Sequence, residues 1–217
     1  MRLFLRLAAL SVLLTAASLL AAQATAGRIV FLDGEVTVNG NPADTGDRLN
    51  GTCVLRTGKK SEVEVVFGDQ NIFRLGPETV VKIDFSTAKK TVTLDKGLFT
   101  SVLRKLAKVA GDASFELRTP TVSGGVRGTS FHVTADENST YFCTCNGSVD
   151  LSSVGNANVA LVNAHHGSRV FTRQADGGIA VTAGGLQDHT DASIETLARR
   201  IGVTVDWTQP DLSSHTP

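Results

Sequence analysis

Apolar and polar positions alternate in many short runs along this chain, and most runs end on a turn signal. Residues 61–67 read Ser-Glu-Val-Glu-Val-Val-Phe. Successive side chains of a strand point to opposite faces, so Val63, Val65 and Phe67 form one buried face, with Glu62 and Glu64 outward in solvent. Similar runs at 28–32 and 35–38 flank Asp33-Gly34, which predicts a hairpin. Strands are predicted at 54–56, 71–75, 80–85 and 91–94, the last ending at Asp95-Lys96-Gly97. Others are predicted at 114–118, 130–134, 140–145, 148–152, 159–162, 169–172 and 179–183. Residues 98–110 fit two patterns: a strand from Leu98 to Leu103, or a short helix through Leu103, Leu106 and Val109. Turn signals about every ten residues mark an all-β chain, a short solenoid-like winding or a sandwich.

Two segments break the period. Near the carboxyl end Ile194, Leu197, Ala198 and Ile201 recur at helical spacing, predicting a small C-terminal helix. Thr190 or Asp191 can cap its start, Arg199 and Arg200 suit its last turn, and Gly202 can stop it. The last dozen residues, with Pro210 and Pro217, read as frayed. At the amino end Arg2 and Arg6 precede an uncharged Leu/Ala run from 7 to 22, and two A-x-A sites follow. That is the layout of a secretory signal peptide, shorter than a bilayer span. The chain therefore divides into a leader at 1–26, a β domain at 27–185 and a helical tail at 186–217. Nothing after the leader reads as a membrane span, and the expected location is periplasmic or secreted.

Composition agrees. Hydrophobic residues at 41% supply a core, and charged residues at 19% are too few for a disordered chain. Twenty-one basic residues balance 21 acidic ones, so no basic excess offers a footprint for nucleic acid. Three cysteines are too few for a disulfide scaffold.

Certain motifs resemble a known family. Gly46-Asp47-Arg48-Leu49, Leu55-Arg56-Thr57-Gly58 and Ser61-Glu62-Val63-Glu64-Val65 are followed by Phe67-Gly68-Asp69 and Arg74-Leu75-Gly76-Pro77-Glu78-Thr79. Arg118-Thr119-Pro120-Thr121-Val122 then leads to Val126-Arg127-Gly128-Thr129-Ser130-Phe131-His132-Val133. Together they resemble FecR-like domains over about residues 30–152. The resemblance implies an extracytoplasmic β fold and a non-enzymatic role in sensing or protein contact. The family's regulators carry an anti-sigma segment ahead of a membrane span. Here six residues precede the apolar run, so iron-siderophore signalling is not carried over. Physically, Gly124-Gly125 and Gly128 allow turns, and Arg127 can clasp turn carbonyls beside Thr129. An anion cradle is the weaker reading, because the lysine and following helix of a phosphate loop are missing.

The chemistry-bearing cluster lies elsewhere. Cys143 and Cys145 in Tyr-Phe-Cys-Thr-Cys-Asn-Gly share one strand face. His165 and His166 follow twenty residues later, and His189 precedes the helix. Two thiolates and one or two imidazoles form a soft site for zinc or copper(I), or ligands for haem. On a strand only one of His165 and His166 can face the thiols. The alternatives are plain packing residues, or a Cys-x-Cys disulfide or redox pair in an oxidising compartment. Cys53 is expected to be a separate buried thiol. No nucleophile elbow or zinc-protease motif is present, so no catalytic residue is assigned. The leading expectation is an exported, non-catalytic FecR-like β module that binds a protein or cell-envelope ligand. A periplasmic metal- or haem-binding protein comes second, and a thiol-disulfide redox protein third.

Overall fold

The alternating runs do form strands. The computed structural model describes residues 26–68, 70–86, 90–103, 115–126, 128–153 and 158–208. The strands begin with β1 (Gly27–Asp33), β2 (Val36–Val38), β3 (Asn41–Pro42), β4 (Arg48–Leu49) and β5 (Thr52–Thr57). β6 (Glu62–Phe67), β7 (Asn71–Leu75) and β8 (Val80–Asp84) lead to the long β9 (Lys90–Leu103). β10 (Phe115–Arg118), β11 (Val122–Val126) and β12 (Ser130–Ala135) precede two further long strands, β13 (Ser139–Ser153) and β14 (Asn158–Arg173). β15 (Ile179–Ala183) and one helix, α1 (Asp191–Arg199), complete the described residues.

The long strands generate a two-layered winding. Residues 90–96 of β9 pair with β8 and β10, whereas residues 97–103 pair with β7 and β12. β9 changes layer at Gly97, whose φ is +97°. A Cβ there would lie 2.4 Å from the Thr79 Cα, so only glycine fits this crossing. β13 repeats the device. Its first half pairs with β12, its second half with β11, and β14 follows it along both. One layer thus runs β4-β1-β6-β7-β9-β12-β13-β14-β15, and the other runs β3-β2-β5-β8-β9-β10-β11-β13-β14.

Between the layers lies an aromatic core. Phe67, Phe73, Phe85, Phe99, Phe115, Phe131, Phe142 and Phe171 pack with Val63, Val65 and Leu75. The outer face of the first layer is also apolar in part. Ile72, Val102, Tyr141, Cys143 and Cys145 are covered there by Ile194, Leu197 and Ala198 of α1. The helix is built as its sequence demands. Thr190 is the N-cap and forms a reciprocal capping box with Ser193. Arg199 lies in the last turn, and Gly202 follows with φ +66°.

Tertiary pairing overrides several local expectations. The Asp33-Gly34 turn makes no hairpin: β1 pairs with β4 and β6, while β2 pairs with β3 and β5. The Glu35 amide instead donates to Ser61 Oγ at 2.8 Å, which pins the turn against the start of β6 while the chain changes layer. The pairs of short strands predicted at 140–145 and 148–152, and at 159–162 and 169–172, are continuous β13 and β14. Leu98–Leu103 is strand, and 104–110 lies outside the described residues. Gly124-Gly125 sits inside β11 rather than in a turn, and a Cβ on Gly124 would meet Leu151 at 2.8 Å. Glu64 is fully buried, not solvated. It pairs with Arg74 on the neighbouring strand and with Arg200 just past α1. Residues 1–25 of the expected leader, Arg127 and the last residues from 209 onward lie outside the described residues.

The entry into β12 does contain a strained glycine. Gly128 has φ +57°, and Thr129, 1% exposed, donates from Oγ1 to the Ser148 carbonyl. Val at position 128 is expected to cost about 1 kcal/mol or more. Val at the exposed Lys59 should cost almost nothing. Thermal midpoints of the two variants check this, and equal midpoints would remove the structural role of the motif.

Candidate metal centre

β13 runs through the outer face of the first layer, so the period of two carries Tyr141, Cys143 and Cys145 out of the aromatic core and under α1. Both thiols are free and 0% exposed. β14 lies alongside, with Asn146 opposite His165 and Thr144 opposite Gly167. A regular strand would aim only one of His165 and His166 at the thiols. His166 breaks the regularity with φ +53°, and both histidines are buried. His166 joins the thiols, and His165 turns towards Asp191 and Trp207. His189 arrives from the segment before α1.

One ligand atom each from Cys143, Cys145, His166 and His189 lies within 4.8 Å of all the others. Cys143 Sγ is 3.6 Å from His166 Nδ1, which is 3.1 Å from His189 Nε2. In a tetrahedral site with bonds of about 2.0–2.1 Å to nitrogen and 2.3 Å to sulfur, simple trigonometry puts two nitrogens about 3.3 Å apart and a nitrogen and sulfur about 3.6 Å apart. These two spacings match the corresponding edges of such a tetrahedron. Cys145 Sγ donates to the Cys143 carbonyl at 3.8 Å and lies within the same 4.8 Å group.

The second layer of contacts selects the tautomers. His189 Nδ1 donates to the Gln187 carbonyl at 2.6 Å, an acceptor that carries no proton of its own. His166 Nε2 donates to the Asp191 carboxylate. Burial raises the Asp191 pKa, but hydrogen bonds from His166 and His165 outweigh it and hold the group ionised below its ordinary range. Both distal nitrogens therefore carry hydrogen, and the His166 Nδ1 and His189 Nε2 lone pairs point at the same place. This is the carboxylate–histidine arrangement that orients metal-ligating imidazoles. Burial alone would raise the Cys143 pKa, yet hydrogen bonds from Cys145, His166 and His189 bring it well below the ordinary thiol value. Burial lowers the His166 pKa, but the Cys143 and Asp191 partners reverse this and raise it. Cys145 stays a thiol: burial and the neighbouring Cys143 push it well above its usual range.

Aromatic rings wall the cluster. His132 stacks on His189 at 4.3 Å, and Trp207 stacks over His165 at 4.7 Å. His132 is held by Thr100 Oγ1 at 2.8 Å. Burial, then the neighbouring His189 and His166 charges, depress its pKa to about 3, so it remains a neutral wall. Cys53, in β5 of the other layer, bonds the Asn50 carbonyl and takes no part. Sequence patterning missed Asp191, His132 and Trp207. Asp191 is visible in the sequence only as a helix-cap candidate, His132 lies opposite Cys143 on the neighbouring strand β12, and Trp207 lies far along the chain.

Comparison with known proteins places the fold. Residues 54–150 match the family described as FecR protein. None of the curated proteins matches the chain. Two crystal structures of a candidate anti-sigma factor from Parabacteroides distasonis are similar at 17% identity, with TM-scores of 0.48 and 0.47. The first alignment covers 61% of this chain and 60% of that one, and the second covers 68% and 74%. The matched span runs from β5 into β13 and holds both the Arg118–Val133 motif and the cysteine pair, so the likeness to the FecR family rests on residues 54–150 of this chain.

Proposed function

We propose that this chain is an exported, non-enzymatic FecR-type regulatory module that binds a thiophilic metal ion, zinc or copper(I), through Cys143, Cys145, His166 and His189. The observation that carries the reading is the convergence of two buried thiols and two imidazole lone pairs whose outer nitrogens are already committed to acceptors. Four donors and a closed, buried setting fit a structural or regulatory ion rather than a catalytic one, which keeps an open position. Donors packed around one point leave no room for a haem macrocycle. A Cys143–Cys145 disulfide fits poorly too. Strand residues two apart lie about 6.4–6.8 Å apart, at the far limit for a disulfide, and β13 is pinned on both sides. Export rests on the leader pattern of Arg2, Arg6 and the A-x-A sites. A protein or cell-envelope ligand is the expected readout of the module. Among the described residues, however, Leu186 is the sole exposed large hydrophobic, so no apolar patch marks where such a ligand sits.

The test is metal stoichiometry of reduced protein after anaerobic reconstitution. One ion per chain is expected near pH 7.5. Protons compete with the ion for thiolate and imidazole, so affinity should fall as pH drops. The His166 pKa is raised, so the decline should begin above the ordinary imidazole value of about 6.5. Protein that stays metal-free with both ions, or affinity flat from pH 8 to pH 5, would overturn the reading.

A further inference from the structure

The ligands come from two parts of the fold. Cys143, Cys145 and His166 belong to β13 and β14. His189 and its neighbour Asp191 belong to the segment that leaves β15 and enters α1. That segment lies across the outer face of the first layer. Tyr141 donates from its hydroxyl to the Gly185 carbonyl at 2.8 Å, and Ser168 Oγ donates to the Gly184 carbonyl at 2.5 Å. Ile194, Leu197 and Ala198 then sit on Ile72, Val102 and Tyr141. Beyond the helix, Arg200 reaches Glu64 at 3.0 Å, and Trp207 lies over His165 and His166.

The geometry points to a metal-gated clasp: the ion completes the docking of the 184–207 segment on the β body, and loss of the ion releases it. The inference rests on the metal-binding reading above and adds the regulation of that same site. Its physical basis is twofold. α1 has nine residues, too few to persist as a helix without its tertiary contacts. Its order therefore depends on being held down. The second basis is reciprocity: if the docked tail supplies His189, docking strengthens ion binding, and ion binding must strengthen docking by the same factor. Asp191 enforces the coupling, since the N-terminal residue of α1 orients the His166 imidazole on the sheet. An undocked tail would remove one ligand and the orienting carboxylate of a second together. It would also expose the Ile72–Tyr141 face and strip Arg200 from the buried Glu64.

The tail carries its own reporter, because Trp207 is the single tryptophan of the chain. Reduced protein, loaded with zinc or stripped by a chelator, is followed by tryptophan emission and by hydrogen exchange of 184–207, with bound zinc measured in the same samples. Amide protection of the tail should fall at least ~10-fold on stripping, and Trp207 emission should shift to the red. Ile194 supplies no ligand atom, yet Ile194→Asp should weaken zinc binding at least ~10-fold by undocking α1. Trp207→Ala, a milder change, should weaken it by about fivefold. One zinc per chain with tail protection unchanged by stripping would refute the clasp and leave the metal centre standing. So would Ile194→Asp and Trp207→Ala proteins that bind zinc as tightly as the parent. Should no zinc bind at all, the metal reading fails and the clasp falls with it; the stoichiometry tells the two failures apart.

Discussion

Cys143→Ser is expected to weaken zinc or copper(I) binding by about 100-fold or more. Removing a group that merely orients a ligand costs about 10–100-fold, and Cys143 is itself a donor. Its sulfur is the one whose pKa the surroundings lower, with His166 Nδ1 at 3.6 Å. A serine hydroxyl occupies the same place but stays protonated and hard, so it cannot replace a soft anionic ligand. The graded series is more telling than the single variant. Cys145→Ser should be nearly as severe. Asp191→Asn keeps a hydrogen-bonding group beside His166 but loses the carboxylate, and should cost about 10-fold or more. Cys53→Ser should leave affinity unchanged, since Cys53 sits in β5 of the other layer. Competition titration against a chromophoric chelator under anaerobic conditions measures all four. A Cys143→Ser protein with parental affinity, or equal losses from Cys53 and Cys143, would sink the assignment.

Phe99→Ala is expected to lower folding stability by about 3–5 kcal/mol. Phe99 is fully buried and stacks on Phe73 at 5.2 Å and on Phe131 at 5.8 Å; Phe131 in turn stacks on Phe142 at 5.6 Å. The four rings belong to β7, β9, β12 and β13, neighbours in one layer. Ser101 sits opposite both Phe73 and Phe131, and its small side chain leaves the space in which Phe99 bridges them diagonally. Truncation opens a cavity in the middle of this row, and strands paired on both edges cannot collapse into it. Urea unfolding at neutral pH gives the value. A loss below about 1 kcal/mol, within the range of ordinary surface substitutions, would mean that the row is not a continuous core.

Much of the site could not be read along the chain. Cys143 and Cys145 sharing a face follows from the strand period alone, and so does the apolar stripe of Ile194, Leu197 and Ala198. His166 facing the thiols does not follow, because alternation would exclude one of two adjacent histidines. Its φ of +53° is a local departure that only the pairing of β14 with β13 sustains. Glu64 reads as solvated because its neighbours alternate so cleanly. It is buried, and its partner Arg200 comes from just past a helix more than a hundred residues later.

Sequence alone determined the all-β class, the position of most strands, the capped terminal helix and the FecR motif around Gly128. These depend on contacts between near neighbours: side-chain period, turn chemistry, a capping hydroxyl, a glycine at positive φ. Tertiary structure alone decided that Asp33-Gly34 hands the chain between layers instead of closing a hairpin, and that β9, β13 and β14 run on through their apparent stops. It also decided that His189 meets thiols more than forty residues earlier and that Asp191 meets His166. Strand pairing joins edges that are distant in the chain, and alternation says which face a residue takes but not which strand, or which tail, will cover it.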